Sequence, residues 1–259
     1  MLTRALVFSY GVASYAVFFV TFLYLAGFLA NFVVPKGIDT GPTIGGLPAV
    51  AVNIGLLTLF GLQHSVMARP GFKRIWTRIV PKPAERSTYV LFTSLILILM
   101  YAAWQPLPAI VWTLPGQVGQ FIGHAGFAAG FLIVLVTTFL IDHFDLFGLR
   151  QVTLHLLQRR DTPAPFQVRY FYKFVRHPLY FGWLIAFWFT PVMTVGHLLF
   201  ALGMTAYILI AVQFEERDLI DAFGEDYRRY QQQVPMLIPS GASHESVQAP
   251  HRSTPEMSS

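Results

Sequence analysis

The sequence predicts an all-α integral membrane protein with about five membrane segments, the last of them a helical hairpin, and therefore six helices. Of its 259 residues, 54% are hydrophobic and only 12% are charged, whereas a soluble domain carries about 25% charge. The mean hydropathy is +0.54, and the apolar residues form long blocks without charge. This composition excludes a disordered chain and argues against an ordinary soluble enzyme.

Four of these blocks each predict one helix that crosses the bilayer, for which roughly 20 apolar residues are needed. We expect these helices at residues 6–34, 47–68, 88–104 and 118–141. The first block is too long for a signal peptide and has no clear cleavage site, so it counts as a membrane segment. In the fourth block, the pairs Gly119/Gly123 and Gly126/Gly130 predict close packing against a neighbouring helix.

The fifth block, residues 179–212, is longer than one crossing requires. Thr190-Pro191 and Gly196-His197 interrupt it near its middle. We therefore predict two short helices, 180–193 and 195–213, joined as a hairpin, with a single long tilted helix as the alternative.

The basic residues predict the orientation, because cytoplasmic loops carry an excess of Lys and Arg. They cluster in three regions: Arg69, Lys73, Arg74, Arg78, Lys82 and Arg86; Arg150, Arg159, Arg160, Arg169, Lys173 and Arg176; and Arg217, Arg228 and Arg229. Both termini and both basic loops should then face the cytoplasm. This orientation requires an even number of crossings after Arg176, which favours the hairpin. It also explains the net charge of +5 without nucleic-acid binding.

Ionisable residues collect at this same boundary, and such residues in membrane proteins are candidates for function. They are His64, Glu85, Arg86, Tyr89, Asp142, His143, Asp145, Arg176, His177, Glu215 and Glu216, together with the polar amide of Gln63. A reaction centre fed from the cytosol would account for them. Structural roles are the alternatives: His64 bonded to a backbone carbonyl, Asp142 and Asp145 paired with Arg150 or Arg86, and Glu85-Arg86 as a helix-start pair.

The sharpest motif has two parts on either side of the hairpin. The first contains Tyr172, Arg176, His177, Pro178, Tyr180 and Gly182, and the second contains Glu215 and Glu216 followed by Phe-Gly-x-x-Tyr-x-x-Tyr at 223–230. Pro178 suits the first turn of a helix. The hairpin would bring the glutamates beside Arg176, although neighbouring helical residues diverge by roughly 100°, so we expect one glutamate to face the site. A buried Arg–Glu pair that only locks the hairpin would show the same pattern.

This two-part motif resembles the integral-membrane methyltransferases, which include isoprenylcysteine carboxyl methyltransferases and phospholipid N-methyltransferases. Residues 63–70, 85–89 and 142–151 further resemble the bacterial methanethiol S-methyltransferases, so that the likeness extends over nearly the whole chain. One departure is Phe171, where many relatives have a proline.

The resemblance implies an enzyme of the bacterial cytoplasmic membrane that methylates methanethiol to dimethyl sulfide with S-adenosylmethionine. Its cofactor-binding residues would be Tyr172, Arg176, His177, Pro178, Tyr180, Gly182, Glu215 and Glu216. Its partners would be a small volatile thiol and the lipid bilayer, with no nucleic acid and no metal. The chain would form one domain, 1–239, whose cofactor half is 141–239, followed by a disordered tail, 240–259.

Catalysis requires the thiolate, which is the reactive form of a thiol. The candidates for this task are His64, Glu85, Arg86, Asp142, His143 and Asp145. We expect His143 or His64 to act as the base, a neighbouring aspartate to orient it, and Arg86 to steady the local charge. Alternatively, exclusion of water activates the thiol without a base.

Three other functions compete with this hypothesis. A related methyltransferase could act on a lipid amine or an isoprenylcysteine carboxylate. A haem or redox protein could use His64 and His143 as ligands, although their spacing does not suggest a pair. A transporter is disfavoured because the ionisable residues lie at a boundary and not at the midplane. The chain has no cysteine, which excludes disulfides and thiolate metal sites.

Overall fold

The computed structural model describes residues 1–160 and 170–239. The predicted disordered tail and Arg169 lie outside these described residues. Within them the chain forms ten α-helices, one short 3-10 helix at Tyr170–Lys173, and one two-stranded sheet. The elements are α1 (Leu2–Ala30), α2 (Gly46–Ala68), α3 (Pro70–Trp76), α4 (Lys82–Ala103), β1 (Ile110–Thr113), α5 (Gly116–Ile141), α6 (His143–Leu146), α7 (Leu149–Leu156), α8 (Pro178–Trp188), β2 (Val192–Thr194), α9 (Val195–Phe223) and α10 (Glu225–Gln233).

Five helices, α1, α2, α4, α5 and α9, are long and apolar enough to cross a membrane. The all-α membrane class is thereby confirmed. The last segment is two helices and not one, as the interruption at Thr190-Pro191 predicts. α8 has only 11 residues, so it rises roughly 17 Å and covers about half of a 30 Å hydrocarbon core.

Several helix boundaries differ from the sequence prediction: α8 ends at Trp188 and not at 193, and α9 continues to Phe223 and not to 213. Two other differences have local reasons. α1 ends at Ala30 because Asn31 adopts the left-handed conformation, with φ of 51°, and caps the helix. α4 begins at Lys82, six residues earlier than expected, because Pro83 and Glu85 suit a first helical turn. Glu85 and Arg86 therefore lie on the first turns of α4.

The small sheet is a feature that the sequence did not predict. β1 and β2 pair antiparallel, with Ile110 opposite Thr194 and Thr113 opposite Val192. The pairing joins the uncharged loop before α5 to the turn between α8 and α9. It thus fixes where the hairpin turns.

Gly126 and Gly130 form the predicted packing seam of α5, against α8 and the residue that follows it. Gly123 lies against Thr190-Pro191, whereas Gly119 packs on Leu114 in the loop before α5. A methyl group added at Gly130 would collide with the backbone of Ala186, and one at Gly126 would collide with the ring of Phe189. Such close contact between helices is the usual role of this spacing in membranes.

α2 and α9 run parallel and interlock through two small residues. A Cβ atom at Gly203 would lie 2.8 Å from Leu57, and one at Gly61 would lie 3.1 Å from the ring of Tyr207. From the first contact to the second, the position moves four residues towards the C-terminus on each helix. The C-termini of α2 and α9 therefore meet at the same end of the bundle, as an even number of later crossings requires.

The α5–α8 seam yields a stability prediction. We expect Gly130→Ala to lower the free energy of unfolding by about 1–3 kcal/mol, because the new methyl group has no space beside Ala186. Gly55→Ala is the matched control, since no atom lies within 4 Å of its added Cβ. Thermal unfolding of both variants in the same detergent measures the difference, and equal midpoints would contradict this packing.

Candidate functional site

The polar residues that the sequence places at one boundary do meet at one end of the bundle, which we call the charged end. It contains the C-terminal parts of α2 and α9 and the N-terminal parts of α4 and α8. Arg69 binds Asp218 at 2.9 Å, joining α2 to α9. The Nε of Arg86 donates to the carbonyl of Leu146 at 2.8 Å, joining α4 to α6.

Glu216 is the centre of a buried group that we call the Glu216 cluster: Arg176, His177, Glu216 and Gln231. One carboxylate oxygen of Glu216 accepts from Nε of Arg176 at 2.7 Å and lies 3.1 Å from Nε2 of His177. Its other oxygen accepts from the Gln231 amide at 2.9 Å. The side chains of Arg176 and Glu216 are only 11% and 12% exposed, so this charge is compensated by the protein itself.

The same cluster fastens α10 to the start of α8. Nη1 of Arg176 donates to the carbonyls of Gln231 and Val234 at 2.9 and 2.6 Å. The backbone N–H of Arg176 donates to Pro235, and that of His177 donates to Met236. Through Arg176, Glu216 of α9 therefore holds α10 and the start of α8 in place. This is the structural role that the sequence analysis gave as the alternative for an Arg–Glu pair.

Glu215 differs from its neighbour in exposure. Its carboxylate lies 3.9 Å from Nδ1 of His177 and is 43% exposed, and it also interacts with the hydroxyl of Tyr180. The expectation that one glutamate faces the site stays a prediction, and the structure places both carboxylates next to His177. His177 lies between the two, and each of its ring nitrogens faces one carboxylate. Both carboxylate oxygens of Glu216 are hydrogen-bonded within the protein, whereas the carboxylate of Glu215 is accessible to a ligand.

Tyrosines surround this region and act as neutral hydrogen-bond donors. Burial raises the pKa of Tyr172, Tyr227 and Tyr230 above the usual value. The hydroxyl of Tyr230 donates to the carbonyl of Tyr172 at 2.6 Å, and that of Tyr227 lies 3.5 Å from Glu216. The candidate site residues from the sequence did not include Tyr227 and Tyr230, although the spacing at 223–230 contains them.

A second group of rings surrounds His64, and we call it the aromatic box: Phe60, His64, Tyr89 and Tyr207. Nε2 of His64 lies 2.8 Å from the hydroxyl of Tyr89. Phe60 stacks on the imidazole with ring centroids 5.3 Å apart, and Tyr207 meets it edge-on at 6.0 Å. These contacts join α2, α4 and α9 around one histidine.

The aromatic box lies next to charges of both signs. The guanidinium of Arg86 lies 5.2 Å from the centre of the Tyr89 ring. Glu215 is near enough to interact electrostatically with both Tyr89 and Tyr207. Glu215 therefore lies near the aromatic box and next to His177 of the Glu216 cluster.

His143 has different surroundings. Its two ring nitrogens lie 2.7 Å from the Tyr15 hydroxyl and 2.8 Å from the Thr138 hydroxyl, and Phe139 stacks on its ring at 4.2 Å. Burial lowers the pKa of His143, an effect that the nearby Asp142 partly opposes. This histidine holds α1 against α5 and α6.

The two aspartates do not orient a histidine, so that expectation was wrong. Asp142 accepts from the backbone N–H of Asp145 and caps α6. Asp145 accepts from Arg150 at 3.0 Å and from Gln151 at 3.1 Å, as the structural alternative predicted. The partners of both histidines are instead uncharged hydroxyl groups, from Tyr89 for His64 and from Tyr15 and Thr138 for His143.

Glu85 lies near Lys73 of α3, outside the aromatic box. Burial lowers the pKa of Lys73, and the negative charge of Glu85 opposes this effect. Among residues 1–160 and 170–239, no three His, Asp or Glu side chains come together as a metal-binding group. His64 and His143 have separate sets of neighbours, which does not favour their use as a pair of haem ligands.

Comparison with known proteins identifies the family. The methanethiol S-methyltransferase of Crocosphaera subtropica is 52% identical over 92% of this chain and 93% of its own length. This chain belongs to the methanethiol S-methyltransferase family. The Mycobacterium tuberculosis methanethiol S-methyltransferase is 50% identical over 91% of this chain and 97% of its own length. Human Nurim is more distant, at 30% identity over 67% of this chain and 69% of its own.

No protein-family model matches the sequence, and no solved structure matches it. The family assignment therefore depends on curated relatives that cover nearly the full chain. It makes the protein a multi-pass membrane methyltransferase.

The two glutamates yield a prediction that separates structural support from ligand contact. We expect Glu216→Gln to destabilise the fold by about 3–5 kcal/mol, because it leaves the buried Arg176 without its counter-charge. Glu215→Gln, at an exposed carboxylate, should change stability by less than about 0.5 kcal/mol. Thermal unfolding in detergent compares the variants, and equal loss in both would show that Glu216 is not the structural centre.

Proposed function

We propose that the protein transfers a methyl group from S-adenosylmethionine to methanethiol, yielding dimethyl sulfide, at the cytoplasmic face of the bacterial inner membrane. The observation that supports this most is that Glu215, which lies beside His177 of the Glu216 cluster, is also near Tyr89 and Tyr207 of the aromatic box. One region offers charged groups to a polar cofactor, and the other offers apolar ring surfaces to a small thiol. The names of the curated relatives support methanethiol as the acceptor.

The residues present suit the chemistry of S-adenosylmethionine. Glu215 offers an accessible carboxylate to an ammonium group or to ribose hydroxyls, and Tyr172 and Tyr180 offer aromatic surface to a cation. Arg176, His177 and Glu216 hold this surface in place, and Pro178 and Gly182 set the start and the close packing of α8. When bound, S-adenosylmethionine supplies a methyl group on a positively charged sulfur.

The aromatic box suits activation of the thiol. The Tyr89 hydroxyl lies 2.8 Å from Nε2 of His64. In our proposal its oxygen takes the thiol proton while its own proton passes to Nε2. Arg86 lies over the Tyr89 ring, and its positive charge would stabilise the negative charge that develops on the thiol sulfur. Among the two histidines considered, we assign His64 as the base, because its hydroxyl partner Tyr89 lies under Arg86 and near Glu215.

The proposed orientation of the protein in the membrane follows from the distribution of its basic residues. Arg69, Lys73 and Arg74 lie at the charged end, beside Arg86 and Arg176, and such an excess of basic residues marks the cytoplasmic side. S-adenosylmethionine would then be drawn from the cytosol. We further propose one domain, 1–239, with its cofactor half at 141–239, because the whole Glu216 cluster lies in that half.

The reaction itself can be tested by headspace gas chromatography of purified protein. We expect dimethyl sulfide only when both methanethiol and S-adenosylmethionine are supplied. Product without S-adenosylmethionine would contradict the proposed methyl donor. Cofactor binding without dimethyl sulfide would contradict the proposed acceptor and favour a lipid amine or prenylated carboxylate.

The proposed base yields a second test. His64→Gln should lower kcat by about 10²–10⁴-fold, the usual contribution of a positioned base. His143→Gln, which alters a structural contact with Tyr15 and Thr138, should retain turnover and lower the thermal midpoint. If both glutamine variants turn over like the parent, exclusion of water suffices and the base assignment is wrong.

A further inference from the structure

We propose that Tyr207 is a specificity-determining residue, whose ring restricts the acceptor to the smallest thiols. This inference rests on the proposed function, and in particular on a thiol bound beside His64. The inference adds to that function the residue that limits the size of the acceptor. This residue lies in the middle of α9, an apolar helix.

The ring of Tyr207 is fixed at several points. It lies against Gly61, where even a Cβ atom would come within 3.1 Å of a ring carbon. Its ring is nearly perpendicular to those of Phe60 and His64, with ring centroids 5.6 and 6.0 Å apart, and its hydroxyl interacts with Ser65. Contacts at both ends of the side chain prevent it from turning away to admit a longer substrate.

Tyr207 also lies at the right place to limit an acceptor. It projects from α9 towards one turn of α2 that contains Phe60, Gly61, His64 and Ser65. One turn earlier, Leu57 closes the same seam against Gly203. Carbon atoms added to a thiol at His64 would therefore meet the Tyr207 ring or this closed seam.

A rigid wall of this kind gives measurable selectivity. One methylene group in an apolar pocket changes the specificity constant by about 10–200-fold. Methanethiol carries a single carbon and offers no polar group besides the thiol, so pocket size is the main property by which the protein can select it.

The experiment compares kcat/KM for methanethiol and 1-propanethiol in the full-length parent, Tyr207→Ala and Tyr207→Phe. We expect the propanethiol-to-methanethiol ratio to rise at least about tenfold in Tyr207→Ala, because space opens beside His64. Tyr207→Phe keeps the ring and should keep the ratio within about twofold of the parent. An unchanged ratio in a Tyr207→Ala protein that still binds S-adenosylhomocysteine would overturn the proposal.

Gly61→Ala supplies an independent test if Tyr207→Ala does not fold. The added methyl group would displace the Tyr207 ring within the aromatic box, so kcat/KM for methanethiol should fall while affinity for S-adenosylhomocysteine is unchanged. Parental kcat/KM in Gly61→Ala would overturn the proposal while leaving the methyltransferase function in place. A parent protein that does not methylate methanethiol would overturn both.

Discussion

The buried charge of Glu216 is the constraint on which the rest of the site depends. A carboxylate near a membrane boundary is costly unless polar groups compensate it, and here Arg176, His177 and Gln231 do so. These partners come from two parts of the chain, the turn before α8 and α10, whereas Glu216 itself lies on α9. Satisfying one charge therefore fixes the hairpin and positions Glu215, which remains accessible to a ligand.

The second half of the site depends on how α2 and α9 meet. The two helices run parallel and interlock at Gly203 and Gly61, so that Tyr207 reaches His64 from the helix that also carries Glu215. Arg86 adds a positive charge from α4. Cofactor groups and acceptor groups are thus brought together by helix packing, and a small change in that packing would change which acceptor fits.

Much of this architecture follows from the sequence, because charge-free blocks, loop charges and Pro178 are local signals. The hairpin follows from an excess length interrupted by Thr190-Pro191. Partners distant in the chain leave no such signal. Tyr15 contacts His143 across 128 residues, and the pairing of β1 with β2 joins two segments of unremarkable composition. Tyr207 was missed because nothing distinguishes it from other aromatic residues in an apolar helix. Only the packing of α9 on α2 reveals it.

The proposed function requires the cofactor to bind between the Glu216 cluster and the aromatic box. A cryo-electron microscopy structure of the full-length protein with S-adenosylhomocysteine tests this directly. We expect ligand density in contact with Glu215 and Tyr180, with the ligand sulfur directed towards His64. Density elsewhere, such as in the groove between α1 and α7 that Phe8 and Leu154 line, would contradict it.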